Sequence, residues 1–107
     1  MEFEWDEIKR EENLNRDEGG KPRGIDFVDV IPLFSDERSI CVEDTRKDYG
    51  ERRFNLYGYA MDNNLYKVTF TRRSHRIRII SARRTNKRER RHYEQEKGRE
   101  LDTGHSH

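Results

Sequence analysis

At 107 residues the chain has room for one domain, and with 42% charged and 30% hydrophobic residues its core must be thin. A net charge of +1 removes the repulsion that would force disorder. No apolar run approaches the roughly 18 residues that span a bilayer, the acidic start at Glu2 and Glu4 lacks the layout of a secretory leader, and a lone Cys41 excludes an internal disulfide or a Cys-rich metal site. The expectation is a cytoplasmic protein with no membrane segment.

Phe3, Glu4 and Trp5 alternate apolar and acidic and predict a short first strand. Asp6 is placed to cap a helix over residues 7–15, held to the body by Trp5 and Ile8. Residues 17–24 carry Gly19, Gly20, Pro22 and Gly24, which predict a mobile loop. Asp26 caps a second helix whose Phe27, Val30, Ile31 and Phe34 follow the i, i+3, i+4, i+7 spacing of one face. Pro32 inside it predicts a short helix that kinks or ends there.

From Ile40 the period changes to two. Ile40 to Glu43 reads as one strand, with Cys41 as a small buried residue. Phe54, Leu56, Gly58 and Ala60 form one face of the next, then Asp62 to Asn64 a turn, and Tyr66, Val68 and Phe70 one face of a third. Ile77 and Ile79 face the core in a fourth, so Arg76 and Arg78 point to the other side. Short turns between consecutive strands imply an antiparallel meander. Thr85 is a candidate cap for a last helix, about 86–98, that is nearly polar all round and fits a partner-facing role. Residues 99–107 carry no pattern and predict a disordered tail; His105 and His107 there do not make a metal site. The fold class is α+β, a single domain over 1–98: N-terminal strand, two helices, antiparallel meander, C-terminal helix.

The near-zero net charge hides a polarity. Residues 1–51 hold 16 acids and 8 bases, and residues 52–107 hold 6 acids and 15 bases. Between Lys67 and Arg91 there are 11 bases, nine of them arginine, against Glu89 alone. Arginine's planar fork suits bidentate phosphate binding and stacking on bases, so the partner implied is rich in phosphate. The alternative, a solvated face paired with the acidic half, lacks acids nearby in sequence.

No Walker loop, paired cysteines, His-Glu-x-x-His, Gly-x-Ser-x-Gly or Asp-rich metal cluster is present. RNA supplies its own nucleophile in the 2′-hydroxyl, so a protein can cleave it without metal or cofactor by orienting that hydroxyl and stabilising the charge that develops. Arginines suit the second task. For moving the proton the sequence offers His92, Tyr93, Glu43 and Glu51.

Several strings then bring a family into view. They are Phe3-Glu4-Trp5-Asp6-Glu7 with Lys9 and Asn13; Gly24-Ile25-Asp26-Phe27; Glu43-Asp44-Thr45-Arg46-Lys47-Asp48-Tyr49-Gly50-Glu51 with Arg53; and Arg78-Ile79-Ile80-Ser81-Ala82-Arg83-Arg84 with Glu89, Arg90 and Tyr93. With these the chain resembles the BrnT family of bacterial toxins, small ribonucleases of RelE-like fold paired with a BrnA-type antitoxin. The likeness runs from residue 3 to about 94. One departure is clear: where members carry Lys-His-Gly before the Ile-Asp-Phe step, this chain has the longer, histidine-free stretch over residues 16–24.

The resemblance implies RNA cleavage that stops translation and growth, neutralisation by a bound antitoxin, and contact with promoter DNA only through the antitoxin complex. Joined to the reading above, it places Arg78 and Arg83 at the scissile phosphate with Arg73 beside them, and Tyr93 stacking on a base or moving a proton. Lys67, Arg84, Lys87, Arg88 and Arg91 would bind flanking phosphates of the RNA, an attraction that weakens with salt. The competing expectation is a catalytically weakened module on the same fold that binds nucleic acid or antitoxin, motivated by the missing histidine.

Overall fold

A computed structural model describes residues 1–105, with side chains through residue 99. Strand β1 (Glu2–Glu4) leads into helix α1 (Glu7–Leu14), a small hairpin of β2 (Asp17–Glu18) and β3 (Lys21–Pro22), and a 3₁₀ helix (Phe27–Ser35). Strands β4 (Ile40–Asp44), β5 (Arg53–Tyr59), β6 (Leu65–Arg73) and β7 (Arg76–Arg84) follow, then helix α2 (Lys87–His105). The large sheet has the order β1-β7-β6-β5-β4. Its last four strands are the expected antiparallel meander, and β1 joins the far edge parallel to β7. The molecule is mixed α+β, as the pattern of elements predicts.

One face of the sheet is apolar because period-two alternation puts Leu56, Val68, Phe70, Ile77 and Ile79 on the same side. The 3₁₀ helix packs across it with Phe27, Val30 and Leu33, all nearly inaccessible. The expected α-helical face is replaced by an i, i+3, i+6 stripe, since a 3₁₀ helix has three residues per turn and stacks every third side chain. Pro32 lies inside this helix without ending it. Phe34, partly buried, meets Phe3 and Phe70 edge-on at 5.1 and 5.0 Å.

Asp6 caps α1 as expected, accepting from the amides of Ile8 and Lys9. Trp5 packs edge-on against Phe27 at 6.1 Å, as expected, but Ile8 is 69% exposed, and the residue of the helix that is buried is Asn13. Its side-chain amide donates to the Ile25 carbonyl at 2.8 Å and accepts from the Ala82 amide at 3.0 Å. β1 covers the outer edge of β7 only along residues 76–78, so Asn13 acts as the next rung of that edge. Beyond it the Arg84 amide donates to the Arg23 carbonyl at 2.9 Å, and Gly24 bridges Arg83. The stretch expected as a mobile loop is thus a hairpin, turned by Gly19 and Gly20 at positive φ, whose exit strand is tied to β7. Gly24 is required there, because a Cβ would overlap the Asn13 carbonyl oxygen.

Two further corrections concern the second half. Cys41 is exposed, since β4 is the outermost strand and the 3₁₀ helix packs on β5 and β7. The cap of α2 is Asn86: its side chain accepts from the Glu89 amide at 2.8 Å while Glu89 accepts from the Asn86 amide at 2.9 Å, a reciprocal capping box. Thr85 instead bonds the Leu65 carbonyl through both its amide and its hydroxyl. α2 continues past Gly98 to His105. Residues 99–105, expected as part of a disordered tail, are thus helical, while residues 106 and 107, and the side chains from residue 100 on, lie outside the described residues.

Candidate active site

The face of the sheet opposite the core is polar, and the strand register arranges it in cross-strand rungs. The first is Ile40, Tyr57, Lys67, Arg83. The second is Val42, Asn55, Thr69, Ser81, and the third is Asp44, Arg53, Thr71, Arg78, extended by Glu4 of β1. Arg83 reaches this face through a register shift. Strict alternation from Ile77 and Ile79 would send it to the core side, but a bulge opposite Thr69 and Phe70 inserts one residue, so that Ala82 enters the core and Arg83 turns outward.

Helix α2 crosses the first rung. Its Tyr93 is 6% exposed, packs edge-on against Tyr59 at 5.6 Å and donates its hydroxyl to the Arg38 carbonyl at 2.6 Å. Farther along, the Lys97 ammonium donates to the Glu37 carbonyl at 3.0 Å. Between the helix and the edge of the sheet lies a groove of about 580 Å³. Ile40, Val42 and Tyr57 line it from the sheet, and Arg46, Arg88, Glu89, Arg91 and His92 are among its other walls.

At the inner end of this groove sits a compact ionic cluster. Arg83 grips Glu89 with both Nη atoms, each 2.8 Å from a carboxylate oxygen. The Lys67 ammonium stands 3.9 Å from the same carboxylate, and all three side chains are at least three-quarters buried. Burial pushes the Glu89 carboxyl up, but the Arg83 hydrogen bonds, the Asn86 amide and the two cations outweigh it and hold it below its ordinary value. The Lys67 ammonium is pushed down by burial and by Arg83, which the attraction of Glu89 only partly offsets. Nearby, Arg46 forms a bidentate pair with the buried Asp44 at 2.9 Å per bond, holding that carboxyl well below the usual range.

The structure therefore lines one groove with Arg88 and Arg91 and joins Arg83 and Lys67 to it through Glu89. It does not bring Arg78 to Arg83: they lie two rungs apart, about 13 Å along β6 at ~3.3 Å per residue. Arg78 meets Glu4 at 3.4 Å, and Arg73 meets Glu51 at 3.5 Å at that far end. Arg84 faces the other way from Arg83 and bonds Asn64 at 2.9 Å, bracing the β5–β6 turn. Lys87, Arg88 and Arg91 have no acid within ion-pair distance among the described residues. Of the proton-transfer candidates, Glu43 is paired with Arg52 at 2.9 Å on the core-side face, Glu51 is at the Arg73 end, and His92 lines the groove.

Sequence reasoning missed Glu89 as a site residue, although the Asn86-x-x-Glu89 spacing of a capping box announces its place in the first turn of α2. It also missed the Asp44–Arg46 pair, although the two lie two residues apart and the Arg46 amide itself donates to the Asp44 carboxylate at 3.2 Å, a local turn that Asp favours.

A small α+β domain whose sheet face carries arginines gripping carboxylates, beside a groove where Arg88 and Arg91 have no acid within ion-pair distance among the described residues, has the donor set of the class of proteins that handle polyanions. The chain belongs to the BrnT family: the family model described as the ribonuclease toxin BrnT of type II toxin-antitoxin systems matches residues 5–89. That stretch includes α1, the whole sheet from β4 to β7, and Glu89. The family assignment brings with it ribonuclease activity in general, an RNA target and an antitoxin partner. No curated protein matches the chain significantly. Among the described residues no helix is long and apolar enough to cross a membrane.

Proposed function

We propose that the chain is a metal-independent endoribonuclease toxin of RelE-like architecture, with its scissile phosphate bound at Arg83 and Lys67. The observation that carries this is the Arg83–Glu89–Lys67 cluster at the head of an open groove. A carboxylate held bidentately by an arginine beside an ammonium marks a place that fits two phosphate oxygens equally well. Arg78 and Arg73 bind a flanking phosphate about 13 Å away along the face, while Lys87, Arg88 and Arg91 line the exit of the strand and Arg84 supports from behind. Tyr93 holds α2 to the strand edge and so fixes the groove's width. The protein acts in the cytoplasm, cutting RNA so that translation and growth stop. A cognate BrnA-type antitoxin silences it by covering the cationic face, and promoter DNA is met only through that complex.

The test is expression from a tightly repressed promoter in a bacterium lacking the antitoxin, following growth and RNA integrity. Arrest with RNA loss is expected from wild type. Arg83→Ala should reduce cleavage by about 10²–10³-fold, the usual cost of losing one donor to a developing oxyanion. Cleavage by purified protein should persist in a strong chelator. Each lost phosphate contact should lower the slope of log affinity against log salt by about 0.7 on single-stranded RNA. Unimpaired growth with intact RNA, despite soluble protein, would refute the reading. That outcome would favour the second one, a weakened binding module, which rests on the histidine-free hairpin of β2 and β3.

A further inference from the structure

We propose that Glu89 and His92, one turn apart on α2, are the general base and general acid of RNA cleavage, acting across the groove on the ribose 2′-hydroxyl and the 5′-oxygen. This rests on the ribonuclease reading above and goes beyond it by assigning the two proton transfers that the arginines cannot perform.

The assignment follows first from what the fold removes. Tyr93 has its hydroxyl committed to the Arg38 carbonyl, Glu43 lies on the other face, and Glu51 precedes β5 and pairs with Arg53 and Arg73, at the far end of the face from Arg83. Of the other acids and bases lining the groove, Glu96 pairs with Arg99 at 2.7 Å and the Tyr57 hydroxyl is pushed up by burial and by Glu89, which leaves Glu89 and His92. On a helix the i, i+3 spacing sets their Cβ atoms about 5–6 Å apart on one face. In-line displacement at phosphorus needs the attacking and leaving oxygens on opposite sides: Glu89, in contact with Arg83, takes the side of the 2′-hydroxyl, and His92, one turn on along the groove, takes the side of the 5′-oxygen.

The hydrogen-bond inventory leaves Glu89 an opening. A carboxylate offers about four acceptor sites. Oε1 accepts from Arg83 and from the Asn86 amide, and Oε2 accepts from Arg83. Lys67, at 3.9 Å, is beyond hydrogen-bond length from Oε2. One site on Oε2 is thus open to a hydroxyl. A phosphate that takes the fork of Arg83 also removes the interactions that hold the Glu89 carboxyl down and leaves the burial that pushes it up. The base strengthens as the substrate seats. His92 is exposed and makes no hydrogen bond or ion pair among the described residues, so its ring is available to a leaving group.

The step balances. Glu89 takes the 2′-hydroxyl proton, the 2′-oxygen forms a bond to phosphorus, the P–O5′ bond breaks, and the imidazolium of His92 gives its proton to the departing 5′-oxygen. The products are a 2′,3′-cyclic phosphate and a 5′-hydroxyl end. Exchange with water resets both side chains.

The experiment compares purified wild type, Glu89→Gln and His92→Ala on an RNA oligonucleotide and on the same oligonucleotide with a bridging 5′-sulfur at the cleaved bond. Thiolate leaves without protonation, so only the acid becomes dispensable. Glutamine keeps the capping box, and a melting curve checks that each variant is folded. Expected are losses of about 10²–10⁴-fold for both variants on ordinary RNA, rescue of His92→Ala but not Glu89→Gln on the sulfur substrate, and cyclic-phosphate ends throughout. Glu89→Gln should bind a 2′-deoxy-blocked oligonucleotide at least as tightly as wild type, because a competitor for Arg83 has lost its charge. The assignment is overturned if Glu89→Gln cleaves within about threefold of wild type, or if His92→Ala loses as much on the sulfur substrate as on ordinary RNA. A wild type that cuts neither substrate overturns the ribonuclease reading itself, and is seen before any variant is compared.

Discussion

Replacing Asn13 with alanine separates two accounts of how α1 is attached. If apolar contacts held it, the change would matter little, because Asn13 adds no large apolar surface. In this structure Asn13 closes a gap in the sheet edge. The Thr85 amide bonds the Leu65 carbonyl on β6, so by the alternation of an antiparallel ladder the Ala82 amide points to the opposite edge, past the end of β1. Asn13→Ala removes the acceptor from the Ala82 amide and the donor from the Ile25 carbonyl, and both residues are buried, at 0% and 8% exposure. Each orphaned group costs about 1–3 kcal/mol, so the expected loss for the two is about 2–6 kcal/mol. At roughly 4–8 °C per kcal/mol for a domain near this size, the melting temperature should fall by at least about 8 °C. Thermal unfolding followed by circular dichroism, with Trp5 fluorescence as a second probe, reads this directly. A fall of under about 2 °C would refute the reasoning and return the attachment of α1 to its apolar residues.

Gly24→Ala should destabilise by about 1–3 kcal/mol or more, because its methyl group meets the Asn13 backbone; denaturant titration checks this, and a neutral result would mean that the hairpin shifts freely. Tyr93→Phe should cost about 1 kcal/mol of stability through its bond to the Arg38 carbonyl while leaving RNA cleavage nearly intact; a loss of 10²-fold or more with unchanged stability would make Tyr93 a proton donor after all. Acid should unfold the protein through carboxylates held down in the native state: Asp26 by Arg10, Asp36 by Arg38 at about 2, Asp44 by Arg46, and Glu89 by Arg83 against its burial. Because these folded-state values lie below the unfolded ones, the stabilisation is complete above the ordinary carboxylate range near 4 and is lost as pH falls through the native values. Stability that is flat from pH 5 down to about 2 would contradict these pairings.

Residues whose neighbours are near in sequence could be read directly. The Asp6 cap, the meander from β4 to β7 and the outward direction of Arg76 and Arg78 depend on spacing within a few positions, and all three follow from capping chemistry and period-two alternation. The strings that mark the BrnT family are equally local and run through the strands that carry the arginines. The pattern misled where a tertiary partner competed with it. Phe27 to Phe34 scans as an α-helix, yet the stripe that faces the sheet takes every third residue. Cys41 sits in an apolar run, yet its strand ends up at the edge.

Sequence alone determined the composition of the site: a chain whose second half is crowded with arginine and short of acid has to meet phosphate or its own carboxylates. Which arginine does which was decided by the tertiary structure. The bulge in β7 turns Arg83 onto the outer face, the register places Lys67 beside it, and the capping box of α2 delivers the single acid of that basic stretch to within 2.8 Å of the guanidinium. Glu89 lies six residues from Arg83 and 22 from Lys67 in the chain. Only the crossing of α2 over the sheet brings all three to one point, because strand register and helix packing are long-range properties that no local spacing encodes.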